Sequence, residues 1–215
     1  MTARVKICGI TRPEDAAGAA AAGAAYLGVV LAGGRRRVSF VRAAEIVAAS
    51  RGVPVLGVFG DQSVEEIVRG SREAGLAGAQ LHGPYGPADA ASLAEAGLMV
   101  WRVLRIARPE DLDLLPETSP HADAVLIEPR VPGVQGGAGV RLDLALAVEA
   151  RRRMSNSRLA LAGGLTPENV GRAIALVRPD VVDVSSGVES LPGIKDHEKI
   201  ARFLEAVLGR SPTVG

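Results

Sequence analysis

Short apolar runs rich in β-branched residues alternate with longer Ala-rich stretches whose apolar positions recur at helical spacing, and the alternation continues along the whole chain. Runs of the first kind read as strands near 5–7, 26–31, 53–59, 79–81, 99–104, 124–127, 159–162 and 181–184. A helical stretch follows each. Eight such units predict parallel strands joined by helical crossovers, and 215 residues give each unit about 27, enough for a strand, a helix and two short loops. Helix starts are marked as well: Thr11 with Glu14 and Ser63 with Glu66 have capping-box spacing, and Thr166-Pro167-Glu168 offers an N-cap followed by proline. The triple Arg151-Arg152-Arg153 is read as a solvated helix end that complements the macrodipole.

The predicted fold is therefore an α/β (βα)8 barrel of eight parallel strands in a single domain over 1–208, with a tail over 209–215 expected to fray. An open doubly wound sheet uses the same elements, but it calls for a Gly-rich fingerprint after the first strand, and Cys8-Gly9-Ile10-Thr11 is not one. With so few aromatics, Trp101 and Phe59 are expected in the core.

Composition narrows the function. A formal net charge of +1 gives no general electrostatic case for nucleic acid or a membrane surface. No apolar run has the length of a membrane span, and the opening residues lack the basic-then-apolar order of a secretion signal. One cysteine fits a reducing compartment, so a cytoplasmic protein is expected. The three histidines, His82, His121 and His197, form no metal-ligand spacing, and no metal is predicted.

In a barrel of this kind, residues just after the strands share one face, which is where catalytic groups lie. Strand one brings Cys8 there, with Lys6 on the same side by period-2 alternation. The other reading of a lone thiol is a small buried hydrophobe. Gly9 lets the backbone turn away without covering the sulfur. The loop after strand two adds Arg35-Arg36-Arg37, strand three Asp61, strand four Gln80 and His82, and strand six Glu128, followed by a stiffening Pro129. Gln80 and His82 suit either a site floor or strand-end packing, and Asp183 on strand eight either orients site groups or satisfies buried donors. Glu128 reads as an acid in the site or as a surface carboxylate paired with Arg130. Asp143 sits where it could cap the sixth helix. Gly163-Gly164 after strand seven and Ser185-Ser186-Gly187 after strand eight suit a phosphate cradle of free backbone N–H groups, or else tight turns.

Lys6-Ile7-Cys8-Gly9-Ile10-Thr11, Gln80-Leu81-His82-Gly83, Gly136-Gly137-Ala138-Gly139, 162–170 and 183–189 through Pro192-Gly193-Ile194-Lys195-Asp196 together resemble the phosphoribosylanthranilate isomerases of tryptophan biosynthesis. The resemblance runs from the first strand to the last helix. It implies an aldose–ketose isomerase that converts N-(5-phosphoribosyl)anthranilate to 1-(2-carboxyphenylamino)-1-deoxyribulose 5-phosphate by an Amadori rearrangement, with no cofactor. By position it makes Cys8 the general base and Arg36 the partner of the anthranilate carboxylate. The general acid falls on Glu128, where the family has aspartate. Lys6, Gln80, His82 and Asp183 would line the substrate, and Gly163, Gly164, Ser185, Ser186 and Gly187 would hold its phosphate. Related barrels serving both tryptophan and histidine synthesis carry aspartate in place of Cys8, which argues against that assignment. The other class of reading is a phosphosugar-binding barrel whose catalysis is impaired by Glu128. Lys6 beside Cys8 is expected to raise the thiolate share. The expected partner is a phosphosugar alone, with the protein a monomer or homodimer.

Overall fold

The computed structural model describes residues 2–130, 141–154 and 157–209. Eight parallel strands close in sequential order into a barrel: β1 (Arg4–Ile7), β2 (Tyr26–Val30), β3 (Val55–Phe59), β4 (Gly78–Leu81), β5 (Met99–Ile106), β6 (Ala124–Pro129), β7 (Arg158–Leu161) and β8 (Val181–Val184). These bounds agree with the sequence reading to within two residues. Closure is completed by β1 pairing with β8, with Lys6 opposite Asp183.

Among the described residues, seven helices of eight residues or more cover the barrel: α1 (Pro13–Ala22), α2 (Phe40–Ala49), α3 (Val64–Ala74), α4 (Pro87–Glu95), α6 (Leu144–Arg153), α7 (Val170–Val177) and α8 (His197–Val207). The fifth crossover is reduced. It is a 3-10 turn over Pro109–Leu114 running into α5 (Leu115–Thr118), so one of the eight expected helices is a stub. The expected capping box at Ser63 and Glu66 is present, and Asp143 accepts from Ala145 N–H at the start of α6.

Two helix starts differ from expectation. The Thr11 hydroxyl bonds the Gly193 carbonyl instead of capping α1, because the chain after β8 folds back over this loop. Helix α7 begins at Val170 rather than just after Thr166: Asn169 accepts from the Thr166 N–H and donates to the Gly164 carbonyl, holding 166–169 as a turn. The three arginines do end α6 as a solvated turn, where Arg151 pairs with Asp180 and Arg153 with Glu149 and Asp113 at the surface.

Parallel strands are buried on both faces, which is why they read as unbroken apolar runs. Outward side chains such as Ile7, Leu27 and Phe59 pack with Ile46, Ile67 and Phe203 of the helices in the larger core. Inward ones, Tyr26, Leu56, Trp101, Leu126 and Ala160, fill the barrel axis, where Tyr26 and Trp101 meet edge to face at 5.2 Å. Trp101 and Phe59 are thus both core. Among the described residues, no helix is long and apolar enough to cross a membrane. The Gly136-Gly137-Ala138-Gly139 motif and residues 210–215 of the tail lie outside the described residues.

Candidate active site

The inward alternation of β1 carries Arg4, Lys6 and then Cys8 up the barrel axis. Arg4 bonds the Tyr26 hydroxyl at 3.0 Å low in the barrel. Lys6 is fully buried and donates to both carboxyl oxygens of Asp183 at 3.1 Å and to Gln80 Oε1 at 2.8 Å. Cys8 sits at the strand end, its N–H bonded to the Val184 carbonyl. Gly28 on β2 makes room for this pair, since a Cβ there would come 2.8 Å from Cys8 Sγ and 3.1 Å from Lys6 Nζ. Gly9 adopts φ +72, a conformation that favours glycine, and its missing side chain leaves space for Arg36 and Ser185.

Burial opposes the Lys6 charge, but Asp183, helped by Cys8, outweighs it, and the ammonium holds its proton more tightly than an ordinary lysine. For Cys8, Lys6 acts in the expected direction, but a larger effect opposes it. Burial, seconded by the nearby Asp183 charge, pushes the thiol above its ordinary value and outweighs the lowering by Lys6. The free site therefore stores a thiol.

Glu128 is buried, not a surface carboxylate, and its partner is Arg105 rather than Arg130. Arg105 Nε lies 2.8 Å from Glu128 Oε1, while Arg130 pairs with Asp111. Burial raises the Glu128 carboxyl above its ordinary value, and the hydrogen bond and charge of Arg105 only partly reverse this. The acid form that sequence reasoning required is thereby favoured. His82 lies beside it, with Nδ1 3.7 Å from Glu128 Oε1. Burial, together with Arg105 and Lys6, pushes the His82 imidazole down to about 3, so it is neutral near pH 7. Because Lys6 occupies Gln80 Oε1, the Gln80 amide N–H faces His82 Nε2 at 2.6 Å, while Arg105 Nη2 faces Nδ1 at 3.0 Å, so donors approach both ring nitrogens of this neutral imidazole.

Of the three consecutive arginines, Arg35 and Arg37 are exposed and Arg36 turns inward. Its Nε and Nη2 donate to Glu189 Oε1 and Oε2 at 2.8 and 2.7 Å, which leaves Nη1 and the outer edge of Nη2 for a second anion. Glu189 opens a hairpin, β9 (Glu189–Leu191) with β10 (Ile194–Lys195), that sequence reasoning missed. Lys195 Nζ, also buried, bonds Glu189 Oε1 at 2.9 Å. Asp61, which its place after β3 puts among the mouth residues, is exposed.

The loops after β7 and β8 meet directly. A Cβ on Gly187 would fall 1.9 Å from the Leu165 carbonyl oxygen, so this approach requires glycine. Gly163 and Gly164 have φ +108 and +61, and no backbone hydrogen bond from either N–H to another described residue is present. Ser185 Oγ is buried without a partner among the described residues. Gly163, Gly164, Ser185, Ser186 and Gly187 are thus brought together on the face that holds Cys8.

The sequence pattern of the family described as N-(5'phosphoribosyl)anthranilate (PRA) isomerase matches residues 5–206. The chain belongs to that family. An N-(5'-phosphoribosyl)anthranilate isomerase of Symbiobacterium thermophilum is 40% identical, the match covering 95% of this chain and 98% of that protein. The crystal structure of phosphoribosyl anthranilate isomerase from Thermus thermophilus superposes with a TM-score of 0.82 at 39% identity, covering 96% of this chain and 98% of the other. A second structure of a phosphoribosyl anthranilate isomerase, in complex with reduced 1-(o-carboxyphenylamino)-1-deoxyribulose 5-phosphate, gives a TM-score of 0.82 at 32% identity, covering 96% of this chain and 99% of the other. Membership in the phosphoribosylanthranilate isomerase family accounts for a barrel mouth that offers a thiol, a carboxyl and an inward arginine. Arg105 and Glu189, which hold two of those groups, gave no signal in the sequence because only strand register and chain return bring them in.

Proposed function

We propose that this chain isomerises N-(5-phosphoribosyl)anthranilate to 1-(2-carboxyphenylamino)-1-deoxyribulose 5-phosphate, with Cys8 as general base and Glu128 as general acid. The observation that carries the reading is a buried thiol and a buried, weakened carboxyl that both feel the Lys6–Asp183 pair at one barrel mouth. Protonated Glu128 donates to the furanose oxygen as the C1′–O bond breaks, and the anilino nitrogen supplies the electron pair of the C1′=N bond. The Cys8 thiolate removes the C2′ proton, giving an enolamine. A proton returns at C1′ as the C2′ hydroxyl becomes the ketone, so no redox partner is needed.

Gly163, Gly164, Ser185, Ser186 and Gly187 suit the substrate phosphate, because the Gly163 and Gly164 N–H groups make no backbone hydrogen bond to a described residue and the buried Ser185 Oγ has no partner among them. Lys6, Gln80, His82 and Asp183 form the floor beneath the ribose, with Lys6 bonded to both Gln80 and Asp183. Arg36 takes the anthranilate carboxylate through the edge that Glu189 leaves free. A binding barrel with impaired catalysis has no observation in its favour: Glu128 is enclosed and held at the mouth.

Calorimetric titration with reduced 1-(o-carboxyphenylamino)-1-deoxyribulose 5-phosphate tests the assignment of Arg36. Arg36→Ala should weaken this ligand by about tenfold or more, the scale of a lost charge-assisted contact. Binding of ribose 5-phosphate should change by less than about threefold, well under the tenfold that 1.4 kcal/mol represents. Equal losses for both ligands would show that Arg36 does not read the carboxylate.

A further inference from the structure

Glu128 and Arg105 face each other in register on β6 and β5. The guanidinium is itself fixed, because Nη2 donates to the His82 carbonyl at 3.0 Å. Its grip on the carboxyl is one-sided: Nε meets Oε1 at 2.8 Å, and Oε2 has no hydrogen bond among the described residues. We propose that Arg105 is the positioning residue of the general acid, pinning Glu128 Oε1 so that Oε2 carries the proton and presents it to the substrate.

This rests on the reading of Glu128 as the acid. A neutral carboxyl has one acceptor oxygen and one hydroxyl oxygen. An N–H held on one oxygen favours the proton on the other, and so fixes both the tautomer and the direction of donation. A bidentate guanidinium fork would instead engage both oxygens and favour the carboxylate. The single contact avoids that, since Nη2 is turned to the carbonyl and ring Nδ1 of His82, just after β4. Among the described residues, the titratable and charged groups facing Glu128 are Arg105 from β5, His82 just after β4, Lys6 from β1 and Asp183 from β8. His82 is neutral, so Arg105 is the cation in direct contact.

The test combines a 13C-carboxyl NMR titration of Glu128 with steady-state kinetics on the parent, Arg105→Ala, Arg105→Lys and Arg105→Gln. Removing the cation should move the Glu128 titration to higher pH in Arg105→Ala. Its kcat should fall about tenfold to a hundredfold, the cost of a misplaced catalytic group, with KM and affinity for the reduced product analogue within about threefold of the parent. Arg105→Lys should recover part of kcat. An unmoved titration, an unchanged kcat, or a loss lying in KM and analogue affinity would each overturn the proposal, the last by making Arg105 a substrate contact. If Arg105→Ala does not fold, the Lys and Gln variants carry the same comparison. Failure of the acid reading is separately visible: Glu128→Gln would then turn over normally, whatever the titration in the Arg105 variants shows.

Discussion

Cys8→Ser is expected to lose turnover by at least about a hundredfold, the lower bound of what a positioned acid or base contributes, while affinity for the reduced product analogue stays within about threefold. The thiol is buried and held above its ordinary value, so only a minor fraction is thiolate near neutrality. That fraction is still usable. A serine hydroxyl in the same place is many units less acidic, and the Lys6 charge, already spent on Asp183 and Gln80, cannot make up the difference. Serine is close to isosteric and the backbone here is fixed by the Cys8 N–H to Val184 bond, so the fold should persist. Steady-state kinetics beside calorimetric titration of the analogue check both halves. Near-parental turnover would remove Cys8 from the mechanism.

Glu128→Gln should abolish measurable turnover, because the amide keeps the shape and the bond to Arg105 but has no proton of carboxylic acidity to deliver. Glu128→Asp separates position from chemistry. The shorter side chain withdraws the carboxyl by about a C–C bond length, and misplacement of that order costs about a hundredfold. The sequence left open that the strand exit relaxes toward a shorter acid. Pro129 instead ends β6, and the Arg130 N–H bonds the Ile106 carbonyl, so the exit stays paired to β5. The Asp variant should therefore be slower than the parent by about tenfold to a hundredfold, not faster. Measuring kcat for the two variants checks this, and a Gln variant as active as the parent would take the acid role away from Glu128.

Much of this was legible in the sequence where the physics is local. Strands buried on both faces announce themselves as apolar runs, period-2 alternation put Lys6 and Cys8 on one side, and the capping residues of α3 and α6 formed as their spacing indicated. Contacts across long separations were not legible. Thr11 has the spacing of a capping box, yet its hydroxyl goes to Gly193, 182 residues away. Lys6 favours the Cys8 thiolate as expected, but the burial of the thiol and the charge of Asp183, brought alongside only when β8 closes the barrel, outweigh it. The β9–β10 hairpin is short and polar, below the length at which periodicity speaks, and with it went the role of Glu189 in holding Arg36. Arg105 looked like one more arginine in an arginine-rich chain until register set it opposite Glu128.

The central claim is that a thiol and a glutamate on this barrel carry out the rearrangement, and it is tested most directly by the turnover of N-(5-phosphoribosyl)anthranilate, generated freshly in the cuvette, by the unaltered protein. Consumption proportional to protein concentration, with kcat in the ordinary enzymatic range of about 1 s−1 or above and appearance of the carboxyphenylamino-deoxyribulose phosphate, is the predicted result. Decay no faster than in buffer, from folded protein that binds the reduced product analogue, would contradict it.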